Sequence, residues 1–149
     1  MERIVKKSII GLLIFISLVF ITKSAESKHS RNFGNNIENS RKNKKDAEIR
    51  EAEVMMENIE FALDHYKLDN GMYPTTEQGL KALVKKSTVP PVPSNWRGPY
   101  LGWIPIDPWG KPYNYACQGV HNKDSYDLSS YGPDGVDTRD GIINWNNSK

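Results

Sequence analysis

The chain has 149 residues, 38% of them apolar and 26% charged, with a formal net charge of +2, which is ordinary for one globular domain. A single cysteine, Cys117, excludes an internal disulfide and any cysteine-based metal spacing. Lys and Arg concentrate in the first 50 residues, but the polar basic stretch there carries only Phe33, and a nucleic-acid surface wants basic residues interleaved with aromatics; no nucleic-acid partner is expected.

The first element is an address. Arg3, Lys6 and Lys7 precede an almost unbroken apolar run from Ile9 to Ile21. That run is short of the ~20 residues of a membrane span and suits a signal-peptide core. Residues 1–24 are therefore read as a signal peptide or an inner-membrane anchor. The basic flank keeps its start in the cytoplasm, so the rest of the chain is expected in the periplasm. Thr22-Lys23-Ser24 and Lys23-Ser24-Ala25 write a small-residue cleavage site only weakly, and both readings stand. Residues 25–45 are polar, with Phe33 and Ile37 as the large apolar side chains, and form a linker or a helical extension.

Residues 46–149 make the globular domain. From Asp46 to Leu68, Ile49, Ala52, Met56, Ile59, Leu63 and Tyr66 recur at steps of three and four, which sets them on one helical face, and Met55 and Ala62 widen it. Glu48, Glu51, Glu53, Glu57, Glu60 and Asp64 fall on the wetted side. The stripe stops at Asp69-Asn70-Gly71, where positive φ is cheap.

Beyond it, Pro74 holds Tyr73 extended, and Thr75 with Gln78 is a capping-box pattern for a short helix from Thr76 to about Val84 that buries Leu80, Leu83 and Val84. Val89-Pro90-Pro91-Val92-Pro93 lacks the donors of a central strand and should wrap the surface, with Trp96, Tyr100, Trp103 and Trp109 as local packing surfaces. Asp107 to Pro112 is a turn. It leads into a hairpin in which Tyr113, Tyr115 and Cys117 share one face, and Tyr126, Leu128 and Ser130 alternate with Asp127 and Ser129.

The segment Tyr131 to Gly141 crowds three carboxylates, Asp134, Asp137 and Asp140, among Gly132, Pro133, Gly135 and Gly141, which favour a loop over a helix. Converging carboxylates with backbone carbonyls suit calcium, which takes about 6 to 8 oxygens, and no soft ligand is near. The spacing is not that of an EF-hand, and a solvated acidic turn fits it equally. For catalysis the pattern is empty. His29, His65 and His121 are scattered, no nucleophile motif accompanies them, and Asp124, Asp127 and Asp134 have no evident cleft for a polymer, so no enzyme is expected.

Several runs together resemble one family. Tyr66 to Gly71, Tyr73-Pro74-Thr75-Thr76-Glu77-Gln78-Gly79-Leu80, Pro90 to Pro93, Trp96 to Tyr100, Asp107-Pro108-Trp109-Gly110, Ser130-Tyr131-Gly132, Asp134-Gly135 and Asn144-Trp145 are similar to the protein G, or major pseudopilin, family of type II secretion systems. The likeness covers about residues 46 to 146, the globular domain. It implies an α+β fold, a long N-terminal helix packed on a small antiparallel sheet, with a calcium-binding C-terminal loop, and a structural role in a periplasmic filament. The implied ligands are the side chains of Asp134 and of Asp137 or Asp140, with the carbonyls of Leu128 and Ser130. Partners would be other pseudopilins and the secretion assembly platform, or further copies of the chain. The prepilin motif is not matched: Gly11 is the nearby glycine, and no acid occurs between Lys7 and Glu26. Three functions follow in order: a pseudopilin-type component of type II secretion, a soluble exported calcium-binding module that no longer assembles, and, last, a periplasmic enzyme using the acidic loop.

Overall fold

The computed structural model describes residues 2–135 and 141–145, with side chains from Gly34 onward. The chain divides into two compact units, 1–44 and 45–149. Helix α1 runs from Glu2 to Asn70. No proline precedes Pro74, and between Gly34 and Gly71 there is no glycine either, so nothing in the sequence breaks the backbone ladder. Residues 25–45 are thus helical. Among the described residues no helix is long and apolar enough to cross a membrane, and the side chains of the Ile9–Ile21 run lie outside that set.

Within the second unit α1 behaves as its periodicity requires. Ala52, Met56, Ile59, Ala62, Leu63 and Tyr66 are buried, while Ile49 and Met55 are half-buried at the margin. The helix stops where Gly71 takes φ 80° and returns its N–H to the Lys67 carbonyl at 2.7 Å. One core cluster joins this stripe to Leu80, Ala82, Leu83, Tyr113, Tyr126 and Leu128. Each large apolar side chain fully buried there contributes roughly 1.5–3 kcal/mol before entropy is charged. A second apolar set on α1, Val54, Phe61 and Leu68, is left exposed.

The short helix expected from Thr76 to Val84 is instead a 3₁₀ turn, Leu80–Leu83. Gly79 is the reason: at φ 58° and ψ −168° it cannot continue a helix begun at Thr76. Val84 is consequently only half-buried. The capping pair itself forms, with the Gln78 N–H donating to Thr75 Oγ1 at 3.2 Å and the Thr75 N–H to Gln78 Oε1 at 3.1 Å. Gln78 is buried, and its amide also donates to the carbonyls of Val89 and Pro91 at 2.7 and 2.8 Å. One glutamine therefore ties the proline segment down. Trp96 anchors its far end through Nε1 to the Ala82 carbonyl at 3.0 Å, whereas Trp103, expected as a packing surface, is 65% exposed.

The sheet has three antiparallel strands in the order β1-β2-β3: β1 Asn114–Cys117, β2 Tyr126–Ser130 and β3 Ile142–Ile143. Tyr115 faces Leu128 and Cys117 faces Tyr126 in the first pair, and Ser129 faces Ile143 in the second. The expected hairpin is present. The third strand, only two residues long, was not expected, because Gly141-Ile142-Ile143 is too short to show alternation. Tyr113 reaches from this side of the core to α1, donating its hydroxyl to the Ala52 carbonyl at 3.0 Å. Burial, the Asp107 charge and then Glu51 push its pKa up to about 12, so it remains a donor at any physiological pH.

Candidate functional site at the end of the second strand

Strand β2 ends in a buried polar node. Ser130 is 1% exposed and donates its hydroxyl to Asp107 Oδ2 at 2.6 Å. Asp107, 3% exposed, turns its other oxygen to its own loop, where Oδ1 accepts the N–H groups of Trp109 at 3.1 Å and Lys111 at 2.8 Å. An aspartate before Pro-Trp-Gly is a recognisable turn former. Its second partner, 23 residues on, follows no period, and the sequence reading missed it. The Ser130 hydroxyl also accepts the Gly132 N–H at 3.1 Å. Gly132 then takes φ 71° and Gly135 φ 66°, and the Gly135 N–H closes the turn on the Gly132 carbonyl at 3.2 Å. That turn carries Asp134 into solvent, and its carboxylate has no partner among the described residues.

Leu128, fully buried, is held from the opposite side. Its N–H donates to Asn144 Oδ1 at 2.9 Å, and its carbonyl accepts the Asn144 N–H at 3.1 Å. Residues two apart in a strand present their backbone groups to the same edge, so the carbonyls of Leu128 and Ser130 both look toward β3. Of the five residues proposed from sequence to hold a cation, Leu128 and Ser130 therefore lie on the side of β2 that pairs with β3, and Asp134 is on the turn that leaves that strand. Asp137 and Asp140 lie outside the described residues. Among those described, no group of three His, Cys, Asp or Glu side chains could hold a metal by itself.

A second carboxylate sits at the other end of β2. Asp127, expected to alternate away from the core residues, is buried, because the 119–122 turn wraps around it. Its oxygens accept the N–H groups of Val120 at 2.8 Å, His121 at 2.9 Å and Asn122 at 2.9 Å, and His121 Nδ1 lies 2.9 Å away. A Cβ at Gly119 would collide with this carboxylate, which is why the wrap needs glycine there. Burial by itself would raise the Asp127 pKa, but the bonds from His121, Asn122 and Val120 outweigh it and hold the carboxyl below its ordinary range. The His121 ring stacks on Trp145 at 4.2 Å with the planes 1° apart. So His121, read as a surface histidine, joins the hairpin turn to the C-terminal residues. His65 is exposed on α1 with Nδ1 2.9 Å from the Phe61 carbonyl, and the His29 side chain lies outside the described set.

The arrangement holds the two ends of β2 in place. Both buried carboxylates are saturated by donors within the fold, Asp107 by Ser130, Trp109 and Lys111 and Asp127 by Val120, His121 and Asn122. Of the candidate side-chain ligands, Asp134 is the one that is described, and it is exposed.

Comparison with known proteins agrees with this geometry. The family model described as type II secretion system (T2SS), protein G, matches residues 39–145. The chain is similar to the type II secretion system core protein G of Dickeya chrysanthemi, 51% identical over 106 residues that cover 70% of this chain and 68% of that protein. It is likewise similar to the core protein G of Escherichia coli K12, 46% identical over 109 residues, 72% of this chain and 74% of the other. Among solved structures, it is similar to the crystal structure of the major pseudopilin from the type 2 secretion system of enterohaemorrhagic Escherichia coli. The TM-score is 0.62 at 45% identity, over 70% of this chain and 91% of that one.

Proposed function

This chain belongs to the type II secretion system protein G family, and from that premise we propose how its fold serves a structural, pseudopilin-type role in protein secretion. The observation that carries the reading is the second unit's helix stripe, Met56 to Tyr66, packed in one core with residues of a three-stranded antiparallel sheet, a fold similar to that of a solved major pseudopilin at 45% identity. The work is assembly with other pseudopilins and the secretion platform from the periplasmic side, and it is not enzymatic. Deleting the chain from its own cell should abolish export of secreted proteins, and crosslinking should join it to other pseudopilins. Normal export in the deletion strain would reject the role.

Calcium is part of this reading. The donor types support it: the exposed Asp134 carboxylate and the hard carbonyl oxygens of Leu128 and Ser130, with Asp137 or Asp140, which lie outside the described residues, as the further carboxylate that the resemblance implies. Bound there, the ion would neutralise the carboxylates that hold it and fasten the loop to β2. In the full-length chain calcium should raise the melting temperature over chelator, and Asp134→Ala should remove the rise.

One sequence feature favours a second reading. No acid interrupts residues 8–25, and the small-residue site near Ser24 is compatible with signal cleavage, which would release a soluble periplasmic calcium-binding module. Fractionation separates the two, since membrane retention supports the assembling subunit and a free periplasmic monomer supports the module.

A further inference from the structure

We propose that the groove between α1 and residues 100–105 of one copy takes the proline strap, Pro90-Pro91-Val92, of a second copy of this chain; this rests on the assembly reading above. Val54, Phe61 and Leu68 stand seven residues apart on α1, which sets them in one ridge along the helix, and all three are exposed. Beside the ridge lies a groove of about 190 Å³ whose lining includes Met55, Phe61, Tyr100, Leu101, Trp103 and Pro105. Its loop wall is fixed. The N–H groups of Tyr100 and Leu101 donate to the Leu83 carbonyl at 2.7 and 3.1 Å, and the Tyr100 ring packs edge-on against Tyr66. Phe61 on the helix wall is 67% exposed, and Trp103 on the loop wall nearly as much. Together the two rings leave roughly 300 Å² uncovered, which with Val54 and Leu68 reaches the size at which an apolar patch marks an interaction surface.

The strap has the complementary form. Pro90, Pro91 and Val92 are exposed, while the Gln78 amide holds the carbonyls of Val89 and Pro91 and Trp96 holds the far end to the Ala82 carbonyl. Prolines so held have little conformational freedom left to lose on docking, and aromatic-lined grooves take proline-rich segments for that reason. Among the described residues, none of 85–97 lines the groove of its own chain. Charge selects the same pairing. Met55 lines the groove on one side of the ridge, and on the other side Glu53, Glu57 and Asp64 form an exposed acidic row. The strap brings the opposite sign, since Lys85 and Lys86 are exposed at its start. With its prolines in the groove, the strap can lay these lysines across the ridge onto the acidic row. The giving and receiving surfaces differ, so each copy can offer its strap and accept another's, and the contact propagates from copy to copy.

The test is disulfide crosslinking between two differently tagged full-length chains, co-produced in the chain's own cell in a Cys117→Ser background and mildly oxidised. One carries Asn58→Cys, which lies in the groove lining, and the other Val92→Cys on the strap. A mixed dimer should form. Trp103→Ala in the groove chain should cut its yield about ten-fold, as loss of an aromatic anchor does, while the melting temperature stays at the parent value. Lys85→Glu with Lys86→Glu in the strap chain should cut the yield several-fold with the groove untouched. Absence of the mixed dimer, a parent-like yield with Trp103→Ala, or an equal yield when Val120→Cys replaces Val92→Cys would overturn the contact, and so would a disulfide to a different protein in its place. If Trp103→Ala lowers the melting temperature, the double lysine variant decides. Export that still fails on deletion of the chain would then leave the assembly reading standing with another contact, whereas normal export in the deletion strain would overturn both.

Discussion

The two faces of the globular domain are stabilised by different physics. Where α1 meets the sheet, Ile59, Leu63, Leu83 and Leu128 are fully buried apolar side chains whose contribution scales with area and tolerates chemical substitution of similar volume. At the two ends of β2, Asp107 and Asp127 are buried charges, each held by donors that must lie at hydrogen-bond distance. The first kind of stability is graded and the second close to all-or-none. The domain uses apolar area to hold α1 and directional bonds to hold the turns around it.

The comparison is broken most directly at Leu63. Leu63→Ala removes a side chain with no exposed surface from the middle of the helix stripe, and it should cost roughly 2–5 kcal/mol in urea unfolding. Leu63→Met at the same site should cost under about 1.5 kcal/mol, since volume is kept. Equal costs for the two would mean that this face depends on directional packing as much as the turns do.

Asp127 tests the other face. Asp127→Asn keeps size but replaces one of the two acceptor oxygens with an NH2 donor that faces backbone N–H, and it should cost roughly 2–4 kcal/mol. The pH dependence gives the sign. The folded carboxyl is held below its ordinary range, so its stabilisation is complete above the unfolded value near ~3.9 and is lost as pH falls through the folded one. Below about pH 4 the parent chain should therefore converge on Asp127→Asn in urea midpoint. Parallel acid limbs would show that the carboxylate is not what holds the 119–122 turn.

The same division explains what the sequence disclosed. The helix stripe, its stop at Gly71, the Thr75–Gln78 box and the β1–β2 hairpin were all readable, because each follows a period or a short fixed spacing. Gly79 was visible but read as part of a helix, since its positive φ is a property of the fold and not of its neighbours in sequence. β3 was too short for alternation to register. Of the site, the carboxylate-rich loop was conspicuous, but the contacts that hold β2 beside it were not: Asp107 meets Ser130 across 23 residues and Asn144 meets Leu128 across 16, and no periodicity links them. His121 looked like a turn residue because its stacking partner, Trp145, comes far later in the sequence, beyond β3.

The smallest effect is expected where the two kinds of stabilisation meet, at Glu60 on α1. Its pKa is raised, first by burial, then by repulsion from Asp64 and from Glu57, while a hydrogen bond from Asn144 opposes the shift. A raised carboxyl favours folding while protonated, and that contribution is lost as pH rises through the folded value, so at pH 7 the ionised side chain opposes the fold. Glu60→Gln removes the charge and keeps the shape. It should raise stability by a few tenths of a kcal/mol, about the size of relieving one like-charge pair on a helix, with the urea midpoint higher at pH 7 and the difference shrinking toward pH 4. A loss instead would mean that the bond to Asn144 outweighs burial and repulsion together. The network holding Leu128 would then extend onto α1, adding to the bond that Tyr113 already makes to the Ala52 carbonyl.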